Sequence, residues 1–230
     1  MHTFRSQALT RTQQLSAEAE ATDGKASQEI EHMFYARITS PEALLKAVSC
    51  EIQEQWGLWQ DKTDKNAGSG SNRVRKTITK HIVNGEFDNE NSETQYVMTT
   101  KLKRADGTSL EIPLESSEDG LKAFRILAES GMIKHRYLFP IPDTELFWEV
   151  DAFVEPGESM YSTKYNGWAK IDLEVPNKDY PIPPFPEGFT DAFDSKVANP
   201  TPEQQEIIDK MKGFLSLPNP HLTQVYTDVI

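Results

Sequence analysis

The chain has 230 residues, with 24 Lys plus Arg against 36 Asp plus Glu and a formal charge of −12. A hydrophobic share of 37%, with 4 Trp, 7 Tyr and 11 Phe, supplies a core and excludes wholesale disorder. The acidic balance argues against coating of duplex nucleic acid, no run approaches the roughly 18 apolar residues of a membrane span, and a single Cys excludes an intrachain disulfide and fits a reducing, cytoplasmic setting.

Residues 1–27 are polar almost throughout and lack the basic-then-apolar layout of a secretory signal; they read as a mobile arm with a short helix around Ala8 to Glu20. From Glu29 to Tyr35 the pattern alternates, which predicts a strand. Ser40-Pro41-Glu42 opens a helix, with Ser40 as N-cap and Leu44, Leu45, Val48 and Ile52 as its apolar face. Cys50 and the Trp56–Trp59 pair fall on or at the end of that helix and read as packing residues. Asp61 to Asn72 has the composition of a flexible loop. Strands are predicted over Asn72 to Val83 and Thr94 to Arg104, joined by an acidic polar loop from Asn84 to Glu93 that is suited to a long hairpin.

After an Ala105-Asp106-Gly107-Thr108 turn comes a strand over Ser109 to Leu114, then a helix over Ser117 to Ser130 closed by Gly131. Three more strands follow at Met132 to Leu138, Leu146 to Val154 and Gly167 to Val175. Pro176, Pro181, Pro183, Pro184 and Pro186 cannot sit inside a ladder, so this stretch runs over the surface. A last amphipathic helix spans Thr201 to Leu215, with Ile207, Ile208, Met211 and Leu215 as its stripe. The order predicts an α+β fold on a mainly antiparallel sheet.

The informative feature is what alternates. Glu29 and Glu31 share a strand face, as do Arg73 and Arg75, Lys101 and Lys103, Lys134 and Arg136, Glu149 and Asp151, and Lys170, Asp172 and Glu174. The opposite faces carry Ile30, Val74, Leu102, Val150, Ile171 and Leu173. Any one pair is what a half-exposed strand shows to water. Charged faces of both signs on so many strands instead suggest a sheet that closes and turns them inward to line a channel. Converging Arg and Lys match phosphate oxygens, so a di- or triphosphate is the natural ligand. Carboxylates in the same channel would need a divalent cation between them and that anion, which points to Mg²⁺ or Mn²⁺. Scattered His argue against zinc, and no Walker-type loop or nucleophile elbow is present.

These residues, in this order, resemble the CYTH or triphosphate tunnel metalloenzyme superfamily, which includes class IV adenylate cyclases, thiamine triphosphatases and inorganic triphosphatases. The resemblance runs from about Gln28 to Val175, with a weaker echo from Pro181 to Asn199. It rests on Ile133-Lys134-His135-Arg136-Tyr137, Trp148-Glu149-Val150-Asp151-Ala152-Phe153 and Ala169-Lys170-Ile171-Asp172-Leu173. Glu29-Ile30-Glu31-His32-Met33-Phe34 stands at the N-terminal Glu-x-Glu-x-Lys signature, and Arg73-Val74-Arg75 and Thr100-Lys101 look like early phosphate-binding strands. The resemblance implies a closed or nearly closed antiparallel β-tunnel of about eight strands with helices packed outside. The tunnel would occupy residues 28–199, with residues 200–230 a helix and tail.

By the same resemblance, Arg73, Arg75, Lys101, Lys103, Lys134, Arg136 and Lys170 would bind phosphate. Glu29, Glu31, Glu149, Asp151 and Asp172 would hold the metal, with Glu149, Asp151 and Lys134 closest to the chemistry. Glu111 looks like an acidic member of the middle strand, but Ser109 stands where that strand's Arg is expected. Met33 stands at the signature Lys, and Lys170 where a metal-binding Glu is usual. Met33 fits a core methionine equally well; Lys170 either binds phosphate or displaces the metal. The expected function is a metal-dependent triphosphate hydrolase acting on tripolyphosphate or a nucleoside or organic triphosphate. The alternatives are a nucleotide- or polyphosphate-sequestering protein of the same fold, an adenylate-cyclase-like enzyme, and a purely structural role. The terminal segments are candidates for covering the tunnel mouth or for forming a homodimer.

Overall fold

Ile30–Ile38 is a strand, β1, whose Phe34, Ala36 and Ile38 turn to the main apolar core while Tyr35 packs on the other side. The computed structural model describes residues 30–61, 69–103, 109–154, 165–177, 179–215 and 217–218. After β1 come α1 (Pro41–Leu44), β2 (Ser49–Asp61), β3 (Ser69–Val83), β4 (Glu86–Lys103), β5 (Ser109–Glu115), α2 (Glu118–Leu127), β6 (Ser130–Pro140), β7 (Phe147–Val154), β8 (Tyr165–Val175), β9 (Phe189–Asp194), α3 (Pro202–Leu215) and β10 (Leu217–Pro218). The fold is α+β. One antiparallel sheet runs in the order β5-β4-β3-β2-β6-β7-β8-β1-β9, with β10 added beside β6. Among the described residues no ladder joins β5 to β9, so the hydrogen-bonded sheet is open.

The expected helix after Pro41 is a single turn, and Ser49–Asp61 is a strand hydrogen-bonded on both sides, to β3 and to β6. Leu44, Val48 and Ile52 fit a helical stripe, but Cys50, Ile52 and Trp56 also fit period two. A central slot between two strands favours the extended form because it satisfies both rows of backbone groups. Cys50 and Trp56 are therefore strand residues in the core. The expected loop from Asn84 to Glu93 is likewise mostly strand. Asn84 (φ 55°) and Gly85 (φ 81°) form a two-residue turn on their own, and β4 starts at Glu86. Ser69–Ser71, expected in a loop, belongs to β3.

Ser117 caps α2 by accepting a hydrogen bond from the Gly120 N–H at 3.1 Å, with Glu118 and Asp119 in the first turn. The helix stops at Leu127, and Gly131 lies inside β6 rather than at a helix end. A reciprocal capping box starts α3: the Thr201 hydroxyl accepts from the Gln204 N–H at 3.2 Å, and the Gln204 side-chain oxygen accepts from the Thr201 N–H at 2.9 Å. Its buried stripe is Ile207, Ile208, Met211 and Phe214; Leu215, the expected fourth member, is only partly covered. Strand β9 was not foreseen from the pattern.

The sheet has two unlike faces. One carries the main core, including Ile52, Trp56, Val74, Tyr137, Trp148, Val150, Ile171 and Leu173, with Leu44 of α1 and Leu121 of α2 packed on it. The proline-rich segment lies over the same face, where the Trp148 indole N–H donates to the Pro184 carbonyl at 3.2 Å and the ring stacks on Phe185 at 5.0 Å. The other face carries the charges. Not every helix avoids that face: α3 packs on Tyr35 and Phe153, which lie in strand phase with Met33 and Asp151, and so covers one end of it.

Candidate functional site

Strand register brings the sequence-predicted residues together. Across β6–β7 Arg136 stands opposite Asp151, across β7–β8 Asp151 faces Lys170 and Glu149 faces Asp172, and across β8–β1 Asp172 faces Met33. On the other flank Gln53 of β2 stands opposite Lys134, Gln55 opposite Arg75, and Lys101 of β4 opposite Glu111 of β5. These residues alternate with the core set, so all point to one face. Glu29 and the side chain of Lys103 lie outside the described residues.

The centre of this face is a buried ion network. Asp151 is 0% exposed and accepts from the Lys134 ammonium at 2.5 Å, from Arg136 Nε at 2.7 Å and from Arg136 Nη2 at 2.9 Å. Arg136 also pairs with Glu149 through Nη1, and its Nη2 lies 3.6 Å from Asp172 Oδ2. That same Asp172 oxygen is paired with the Lys170 ammonium. Burial opposes ionisation of Asp151, but the Arg136 and Lys134 charges outweigh it and hold the carboxyl well below its usual range. Burial, then the neighbouring Arg136, pushes Lys134 down to about 7. Burial also works against Lys170, yet Asp172 and Asp151 hold its ammonium above its ordinary value. Asp172 is raised to about 6 by its burial, with Asp151 and Glu31 adding to the effect and Lys170 opposing it. The ammonium is the firmer charge of that pair, since two carboxylates support it. Among the described residues, Asp172 Oδ1 and Gln53 Oε1 are buried and have no hydrogen-bond partner.

The β3–β5 flank is differently balanced. Glu111 is 2.5 Å from the Lys101 ammonium and 3.5 Å from Arg73 Nη2. Burial pushes its carboxyl up, but the Lys101 hydrogen bond and the Arg73 charge outweigh that and hold it below the usual range. Arg75 donates from Nε and Nη2 to the Gln55 amide oxygen at 3.3 and 3.1 Å, a neutral partner. Burial first, then the like charges of Arg73 and Arg136, push its guanidinium down to about 10. Three guanidinium groups from β3 and β6 thus press on one another, with Glu51 and Asp151 as a partial counterweight.

Glu51, Gln53 and Gln55 of β2, and Thr99 of β4, complete the face and were missed by the sequence pattern. The β2 set was hidden by the helical reading of Leu44 to Ile52. The alternation of Glu51, Gln53 and Gln55 with Cys50, Ile52 and Trp56 was the available signal. Glu31 is exposed at the end of the face, and Met33, partly buried, stands beside Asp172.

The donor set does not fit a resident divalent metal as it is arranged. Both Asp151 oxygens are taken by Lys134 and Arg136, Glu149 is paired with Arg136, and Lys170 sits on Asp172. Among the described residues no group of three or more His, Cys, Asp or Glu side chains converges on a possible metal position. Cys50, on the opposite face, is a buried thiol pushed up to about 12 by that burial, which makes it inert. Among the described residues, no helix is long and apolar enough to cross a membrane.

No protein-family model matches the chain, and no curated protein matches it. The crystal structure of the hypothetical protein NE1496 is similar to it at 20% sequence identity and a TM-score of 0.39, over 71% of this chain and 88% of that one.

Proposed function

We propose that the charged face binds a small triphosphate-bearing molecule, and that the protein is a triphosphate-binding relative of the CYTH type in which the anion is held by side-chain cations. The observation that carries this is Arg75: a half-buried guanidinium whose hydrogen-bond partner is the neutral Gln55, pressed by Arg73 and Arg136. Like charges converging in a part-buried site are relieved by a polyanion, and guanidinium forks match phosphate oxygens. Lys101 on the next strand extends the same set. The burial of Lys134, Asp151, Asp172, Gln53 and Thr99 on this face supports a sheet curled into a channel.

Titration calorimetry with inorganic tripolyphosphate tests this. Arg73→Gln and Arg75→Gln each remove a charge-assisted contact of about 1.5–3 kcal/mol, so each weakens binding by about 10- to 100-fold. Lys76→Gln, on the opposite face of β3, leaves binding unchanged. Absence of binding by the wild type, or an equal loss in all three variants, refutes the proposal.

A second reading is metal-dependent hydrolysis of the bound triphosphate, favoured by the orphaned, buried Asp172 Oδ1. It requires release of phosphate from tripolyphosphate or a nucleoside triphosphate with Mg²⁺ or Mn²⁺, above a Lys134→Ala, Glu149→Ala control. Release at the control level leaves the binding reading; a cyclic nucleotide product from ATP would mark a cyclase instead.

A further inference from the structure

The acidic half of the charged face is already neutralised from within. Glu149, Asp151 and Asp172 are matched by Lys134, Arg136 and Lys170 in one continuous chain of ion pairs across β6, β7 and β8. Lys170 is the member that closes this chain. It faces Asp151 across the β7–β8 ladder and Tyr35 across β8–β1, and its ammonium is paired with Asp172, two positions further along its own strand. Its side chain is 12% exposed, so it is held inside the face rather than trailing into solvent. Beside it Met33, opposite Asp172, offers no ligand for a hard cation. A divalent ion entering here would meet an ammonium already tethered to one oxygen of a carboxylate that is 1% exposed.

Resting on the reading that this face binds a triphosphate, we propose that Lys170 is a built-in replacement for a divalent cation, which makes anion binding independent of metal. The tethered charge does for Asp172 and Asp151 what a bound ion would otherwise do: it lets buried carboxylates remain beside an incoming polyanion without repelling it. The anion itself seats against Arg73, Arg75 and Lys101, where positive charge is in excess.

The experiment is calorimetry of the full chain with inorganic tripolyphosphate in EDTA and in Mg²⁺, alongside Mn²⁺ alone followed by electron paramagnetic resonance. For the wild type, tripolyphosphate affinity in EDTA and in Mg²⁺ agrees within about threefold, and no Mn²⁺ is bound at concentrations up to about 1 mM. Lys170→Met, checked for native circular dichroism, binds tripolyphosphate at least about tenfold more weakly in EDTA, regains affinity with Mn²⁺, and takes up Mn²⁺ by itself. Lys170→Arg keeps the wild-type pattern. The inference is overturned if wild-type binding falls at least about tenfold in EDTA, if the wild type binds Mn²⁺ alone, or if Lys170→Met behaves as wild type. In those cases tripolyphosphate still binds and the functional reading stands. If the wild type takes no tripolyphosphate in either condition, both fail.

Discussion

Asp151→Asn is the most direct probe of the buried network. The substitution preserves size but removes the charge that receives Lys134 and both nitrogen faces of Arg136, at 2.5, 2.7 and 2.9 Å, in a position with 0% exposure. Arg136 keeps Glu149, but Lys134 loses its carboxylate and is left buried against the like charge of Arg136. Breaking a buried ion pair by removing one partner costs about 3–5 kcal/mol, a large part of the roughly 5–15 kcal/mol that stabilises a domain. With a urea slope of about 2 kcal/mol per M, the midpoint falls by about 1.5–2.5 M. Equilibrium urea unfolding followed by tryptophan fluorescence measures this directly. The double variant Lys134→Met, Asp151→Asn recovers at least about 1 kcal/mol, because the stranded ammonium is gone. A loss below about 1 kcal/mol for Asp151→Asn, or no recovery in the double variant, would refute the claim that these charges are buried and mutually dependent.

Two further outcomes follow from the opposite face and its turns. Cys50 is pushed from 9.0 to about 12 by burial, so the folded state keeps its proton where the unfolded chain has lost it. Its contribution is therefore present below pH 9 and fades as pH rises; at pH 10 it destabilises the fold by about 1.4 kcal/mol, a loss absent in Cys50→Ala and readable from paired urea curves at pH 8 and pH 10. Gly188 has φ 98° and an added Cβ would lie 2.3 Å from the Ala43 Cβ, whereas at Gly85 (φ 81°) nothing lies within 4 Å. Gly188→Ala thus loses about 3 kcal/mol through strain plus collision, against about 1 kcal/mol for Gly85→Ala; equal thermal shifts for the two would contradict this packing.

How much was legible along the chain differs by element. The strands β6, β7 and β8, and helix α3, were readable because each carries a clean period: Ile133, His135 and Tyr137 against Lys134 and Arg136, or Ile207, Ile208 and Met211 at helical spacing. Strand β2 was not, because Leu44, Val48 and Ile52 satisfy a helix locally while the partners that make Ser49–Asp61 extended lie on β3 and β6. The exact place of the β3–β4 turn was obscured by a mostly polar and acidic stretch, Asn84 to Glu93, in which Asn84-Gly85 was the punctuation and Phe87 the one apolar residue.

The candidate site divides in the same way. Alternation alone dictated that Lys134, Arg136, Glu149, Asp151, Lys170 and Asp172 leave the core on one side, since a side chain two residues along a strand must return to the same face. It also marked Arg73, Arg75 and Lys101 as their counterparts. Only the assembled sheet decided who meets whom: that Asp151 is spent on Lys134 and Arg136, that Lys170 occupies Asp172, and that Arg75 is left to Gln55. Ladder register sets the partnerships between strands, Asp151 with Lys134 and Arg136 and Arg75 with Gln55, across 15 to 20 residues of chain, and no local pattern carries that information; Lys170 and Asp172 meet within one strand.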